Sequence, residues 1–76
     1  MSLQTGRQLQ AARALAGYDR QALARAAGLA WYTVKRLERQ DRITAMNTTL
    51  EAITRALEEA GVELIPNGVQ RREKRT

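Results

Sequence analysis

The stretch Asp-Arg-Gln-Ala-Leu-Ala-Arg-Ala-Ala-Gly-Leu-Ala-Trp-Tyr-Thr-Val-Lys-Arg-Leu-Glu, from Asp19 to Glu38, decides the reading of this chain. Its small and apolar residues Leu23, Ala24, Ala27, Leu29, Val34 and Leu37 fall where two short helices would press together. Helices crossing at about 90–120° through a tight turn need a small side chain at their contact and a residue that accepts positive φ between them. Ala24 meets the first need and Gly28 the second. The second helix then leaves Trp31, Tyr32, Lys35 and Arg36 on its free face. Aromatic and cationic side chains on one projecting helix suit a nucleic-acid groove.

The flanking sequence supplies helices to support such a pair. Thr5 followed by Gln8 fits a capping box and predicts a helix over residues 5–16. Leu9, Ala12, Leu15 and Ala16 give that helix one apolar stripe, and Gly17 closes it. Asp19 is the expected N-cap of the second helix, which runs to Ala27. The third begins after Ala30, a poor cap, and runs to Arg39 or Gln40. A polar connection from Asp41 to Met46 is expected to be anchored by Ile43 and Met46. Thr48-Thr49-Leu50-Glu51 reads as a second capping box, opening a helix striped by Leu50, Ile53, Ala56, Leu57 and Ala60 and ended by Gly61.

Beyond that glycine the composition changes. Val62-Glu63-Leu64-Ile65 is β-prone, Pro66-Asn67-Gly68 is a turn signal, and the chain can return through Val69-Gln70-Arg71 as a second strand. The expectation is one all-α domain over residues 1–70, with four to five helices and a short C-terminal strand or hairpin. Residues 71–76 are expected to form a basic, disordered tail.

Composition narrows the function. The 76 residues contain no cysteine and no histidine, which removes disulfides, thiol nucleophiles, zinc fingers and the usual general base. No phosphate-cradling glycine loop or inward carboxylate pair is present, so neither an enzyme nor a cofactor or metal site is expected. No apolar run or N-terminal leader suggests a membrane or export, which points to a cytoplasmic, nucleoid-associated protein. The net charge of +5 is unevenly placed. Residues 1–47 hold eight basic side chains against three acidic ones, whereas residues 48–70 hold Arg55 against four glutamates. A basic front half suits a polyanion.

At this point the sequence resembles the XRE-type, phage-repressor-like helix-turn-helix regulators. The resemblance covers about residues 5–65 and is densest at Gly6–Leu15 and Leu23–Glu38. Thr-Gly-Arg-Gln-Leu-Gln-Ala-Ala-Arg-Ala-Leu-Ala-Gly is similar to the family's first helix. Leu23-Ala24-Arg25-Ala26-Ala27-Gly28-Leu29 is similar to its second helix and turn, and Thr33-Val34-Lys35-Arg36-Leu37-Glu38 to its recognition helix. Two positions depart from the pattern: Arg20, followed by Gln21, stands where the family often has Gln, and Ala30 where it usually has Ser or Thr. The resemblance implies a DNA-binding domain in which Arg20 and Gln21 approach the backbone and Arg39 and Arg42 flank it near the helix 3–4 connection.

Within the third helix, Arg36 and Lys35 are the leading base-contact candidates. Trp31 is divided between groove contact and packing on helix two, Tyr32 offers its hydroxyl, and Thr33 is divided between DNA and its own helix. Arg7, Arg13 and Arg25 are weaker candidates. Glu38 is expected to pair with Lys35 or Arg42.

The expected partners are double-stranded DNA and a second copy of the chain, with Leu57, Val62, Leu64 and Ile65 as the dimerisation surface. The alternative is an antitoxin that also captures a toxin protein, with the Val62–Ile65 strand as its contact. A pure interaction module without nucleic acid is the third class.

Overall fold

A computed structural model describes residues 3–66 and 68–71. Helix α1 spans Gly6–Ala16. Thr5 precedes it in extended conformation, and the Gln8 N–H donates to its Oγ1 at 3.0 Å. The reciprocal half of the capping box is displaced by one residue, because Gln8 Oε1 accepts from the Gln4 N–H at 2.7 Å. Helix α2 spans Arg20–Ala27, and its N-cap Asp19 accepts from the Ala22 N–H at 2.7 Å.

The α2–α3 turn is built at Gly28, where φ is 72°. The N–H groups of Gly28 and Leu29 donate to the carbonyls of Arg25 and Ala24 at 3.2 and 2.8 Å. These bonds occupy the last carbonyls of α2 and bring Leu29 against the core. Helix α3 then spans Trp31–Glu38, entered from Ala30 with no side-chain cap. Helix α4 spans Asn47–Glu59.

Two local expectations around α4 are corrected. Its N-cap is Met46, with no side-chain hydrogen bond. The Met46 carbonyl already accepts from the Leu50 N–H at 3.1 Å, so Thr48 lies inside the helix and cannot cap it. Met46 is also no anchor, being 71% exposed. Ile43 does pack on the core, and Ala45 joins it there.

Strand β1 (Val62–Ile65) pairs antiparallel with β2 (Gly68–Arg71), placing Val62 opposite Arg71 and Leu64 opposite Val69. The fold is therefore four helices plus a two-stranded antiparallel sheet, which corrects the all-α expectation. No fifth helix occurs among the described residues. Arg71 closes β2, and residues 72–76 of the expected tail lie outside the described residues.

A lone hairpin is marginal in water; this one is held by α1 and α4, both of which it contacts. Buried Gln8 binds it directly, donating from Nε2 to the carbonyls of Ile65 and Gly68 at 3.1 and 3.0 Å. Because strand side chains alternate in direction, Val62 and Leu64 point together into the core.

That core draws Leu9, Leu23, Val34, Leu37, Ile53, Leu57 and Val62 from all four helices and β1. Leu3 joins it from ahead of α1. The proposed dimerisation surface is thereby corrected. Leu57, Val62 and Leu64 are buried within their own chain, and Ile65 is half-buried. Their apolar pattern records the monomer's core.

The start of α1 abuts the end of α3. The Gly6 N–H donates to the Gln40 carbonyl at 2.9 Å, and the Ile43 N–H donates to that of Gln4 at 2.9 Å. A Cβ on Gly6 would overlap the backbone oxygens of Glu38 and Gln40. Only glycine permits this approach, which fixes the far end of α3 against α1. No helix among the described residues is long and apolar enough to cross a membrane.

Candidate nucleic-acid interface

Helix α3 turns Val34, Leu37 and Glu38 inward. At about 100° per residue, Tyr32 and Arg36 fall on the opposite side, with Arg39 continuing their line from the C-cap position. Tyr32 is 62% exposed, and Arg36 and Arg39 are exposed. Among the described residues the side chains of Arg36, Arg39 and Arg42 make no ion pair or hydrogen bond. Three cations and a phenol thus face solvent along α3 and the connection that follows it, each with its donors unspent.

Trp31 and Lys35 occupy one flank of that surface. Trp31 is 45% exposed, between the groove-facing and packed alternatives drawn from sequence. The Lys35 Nζ lies 5.3 Å from the centroid of its ring, a cation–π contact that accounts for the half-burial of Lys35. The Tyr32 ring meets Trp31 edge-on, with centroids 6.4 Å apart and planes at 80°. On the other side Trp31 borders a shallow depression of about 360 Å³, shared with Arg13, Asp19, Arg20 and the exposed Gln21. Thr33, on the remaining flank, is half-buried and has no side-chain hydrogen bond among the described residues.

Behind the exposed side sits a buried ion-pair cluster. The Glu38 side chain is fully enclosed. Arg13 grips it twice, Nε donating to Oε2 at 2.6 Å and Nη2 to Oε1 at 3.2 Å, while its Nη1 donates to the Tyr18 carbonyl at 3.2 Å. The Arg20 Nε donates to Glu38 Oε1 at 3.0 Å. One carboxylate therefore ties α1, α2 and α3 together.

This cluster corrects the expected Glu38 pairing with Lys35 or Arg42: both carboxylate oxygens are taken by Arg13 and Arg20, and the Lys35 ammonium lies over the Trp31 ring instead. It also removes Arg13 from the candidates for an external anion. The Arg20 side chain, 40% exposed, is committed at Nε and turned toward the protein. A sequence signal for the inward carboxylate existed: Glu38 continues the Val34–Leu37 stripe at i+4 and i+1.

No buried side-chain nitrogen or oxygen among the described residues lacks a hydrogen-bond partner. Comparison with known proteins adds no relative: no family model and no curated protein sequence matches this chain.

Proposed function

We propose that this chain is a sequence-specific, double-stranded-DNA-binding regulator of the XRE helix-turn-helix type, acting in the cytoplasm at the nucleoid. The observation that carries this reading is the contrast between the two sides of α3. Its inner side is held by apolar packing and the Glu38 ion pairs. Its outer side offers Tyr32 and Arg36, with Arg39 and Arg42 beyond, whose side chains have no hydrogen-bond or ion-pair partners among the described residues.

A helix so mounted fits a major groove about 12 Å wide. Arg36, opposite the core, is placed to donate to guanine O6 and N7, the commonest specific contact. Tyr32, one turn nearer the N-terminus, adds a hydroxyl donor. Arg39 and Arg42 neutralise phosphates along the flank, and such contacts position the helix without reading sequence. Gln21 reaches the backbone from α2, whereas Arg20 serves chiefly to hold Glu38.

One such domain covers a half-site, and two copies on a palindrome place their reading helices about 34 Å apart, one turn of DNA. The homodimer is part of the proposal, with its surface no longer assigned to Leu57, Val62 and Leu64. For the antitoxin alternative, the side chains of Val62 and Leu64 are buried in the chain's own core, so no observation favours toxin capture through the Val62–Ile65 strand. Electrophoretic shift assays with a random-sequence duplex library test the proposal. Repeated selection should enrich a defined half-site, and binding that stays indifferent to sequence would refute it.

A further inference from the structure

The depression beside Trp31 differs chemically from the rest of the interface. Arg13 and Arg20 bring two positive charges to it, and Asp19 and the adjacent buried Glu38 bring two negative ones. A phosphate gains little from such a balanced site. An uncharged group gains the Trp31 ring, which is 45% exposed at the very start of α3, the end that enters the groove first in a helix-turn-helix.

The ring is also held in place. Lys35 lies over it at 5.3 Å, and Tyr32 braces it edge-on. The exposed part of the indole is thus a fixed apolar surface, open toward the depression that Gln21 also lines. In the major groove the apolar feature of a base edge is the C5 methyl of thymine.

We infer that Trp31 is a specificity-determining residue that reads the C5 methyl group of a pyrimidine at one position of each half-site. Lys35 is a positioning residue for it. The inference rests on the duplex-reading proposal and adds the chemical group recognised. The same methyl is carried by 5-methylcytosine, so a C5-methylated cytosine at that position is accepted in place of thymine as far as this contact is concerned, while unmodified cytosine and uracil lose it.

The test uses duplexes selected by the wild-type chain, with deoxyuridine replacing thymidine at one position at a time. Only the methyl is removed. At one thymine per half-site the wild type should lose about fourfold in affinity, the equivalent of ~0.8 kcal/mol for one apolar carbon group. Trp31→Ala should bind thymine and uracil versions equally, with helical content unchanged by circular dichroism. Trp31→Phe, which keeps an aromatic ring, should retain part of the ratio.

Lys35→Ala should lower the thymine-to-uracil ratio as well as affinity, and Lys35→Arg, which keeps a cation for the ring, should restore the ratio. Indifference of the wild type to every substitution, or a ratio unchanged in Trp31→Ala, would overturn the inference while leaving the duplex-reading proposal intact. Failure to select any sequence would overturn both.

Discussion

Replacing Arg13 and Arg20 separately by methionine tests how α3 is held. Methionine keeps much of the arginine's aliphatic packing and removes the charge. Arg13 makes two hydrogen bonds to the Glu38 carboxylate and one to Tyr18, and its side chain is only 20% exposed. Arg13→Met therefore strands a fully enclosed carboxylate with a single partner. Breaking a buried ion pair costs on the order of 3–5 kcal/mol, and the surviving Arg20 contact puts the expected loss near 3 kcal/mol.

Arg20 makes one bond to Glu38 from a side chain that is 40% exposed. Water screens and replaces much of that contact, so Arg20→Met should cost about 1 kcal/mol or less. A small domain has a urea m-value on the order of 1 kcal/mol/M. The midpoint should fall by about 3 M for Arg13→Met and about 1 M or less for Arg20→Met. Urea titration followed by far-ultraviolet circular dichroism measures both. Equal shifts, or a larger one for Arg20→Met, would refute the assignment of Arg13 as the main partner of the buried carboxylate.

Other residues carry separate expectations. Arg42→Ala should weaken binding to specific and random duplexes alike and reduce the magnitude of the log K against log[salt] slope by about one unit; an unchanged slope removes Arg42 from the interface. Gly28→Val should lose about 1–3 kcal/mol of stability through backbone strain alone, because a Cβ there meets nothing within 4 Å. Wild-type thermal stability in that variant would contradict the positive-φ turn. Leu64→Asp should unfold the chain rather than yield a folded monomer, since it places a carboxylate among buried side chains; a native-like dichroism spectrum would show that Leu64 is not core.

Signals confined to one turn of chain were legible from sequence. Thr5, Asp19 and Gly28 act within three or four residues of themselves, and each does what its neighbours require. The hairpin was legible for the same reason, as a β-prone segment meeting a turn signal. Thr48 shows the limit: a capping pattern was present, but the helix started two residues too early to use it.

What escaped involves partners far along the chain. Glu38 meets Arg13 and Arg20 across 25 and 18 residues, and periodicity shows that it faces inward without showing what waits there. Gly6 resembles any helix-start residue until the end of α3 is seen against it. Gly6 is the crowded glycine, whereas Gly28 has open space around it and is needed only for its positive φ. Leu57, Val62 and Leu64 were recognisable as residues needing burial, but an apolar pattern cannot tell a core from a partner's face. The outward set of α3 fared better, because Val34 and Leu37 fix the inner side and leave Tyr32 and Arg36 only one direction.

The central claim is that this outward side of α3 reads base pairs. Parallel selections from one random duplex library, by the wild type and by Arg36→Ala, test it most directly. The account predicts a half-site in both, with preference for guanine lost at one or two positions in the variant and the remaining positions unchanged. An identical motif from both proteins, with only weaker overall binding in the variant, would reduce Arg36 to a backbone contact and contradict the claim.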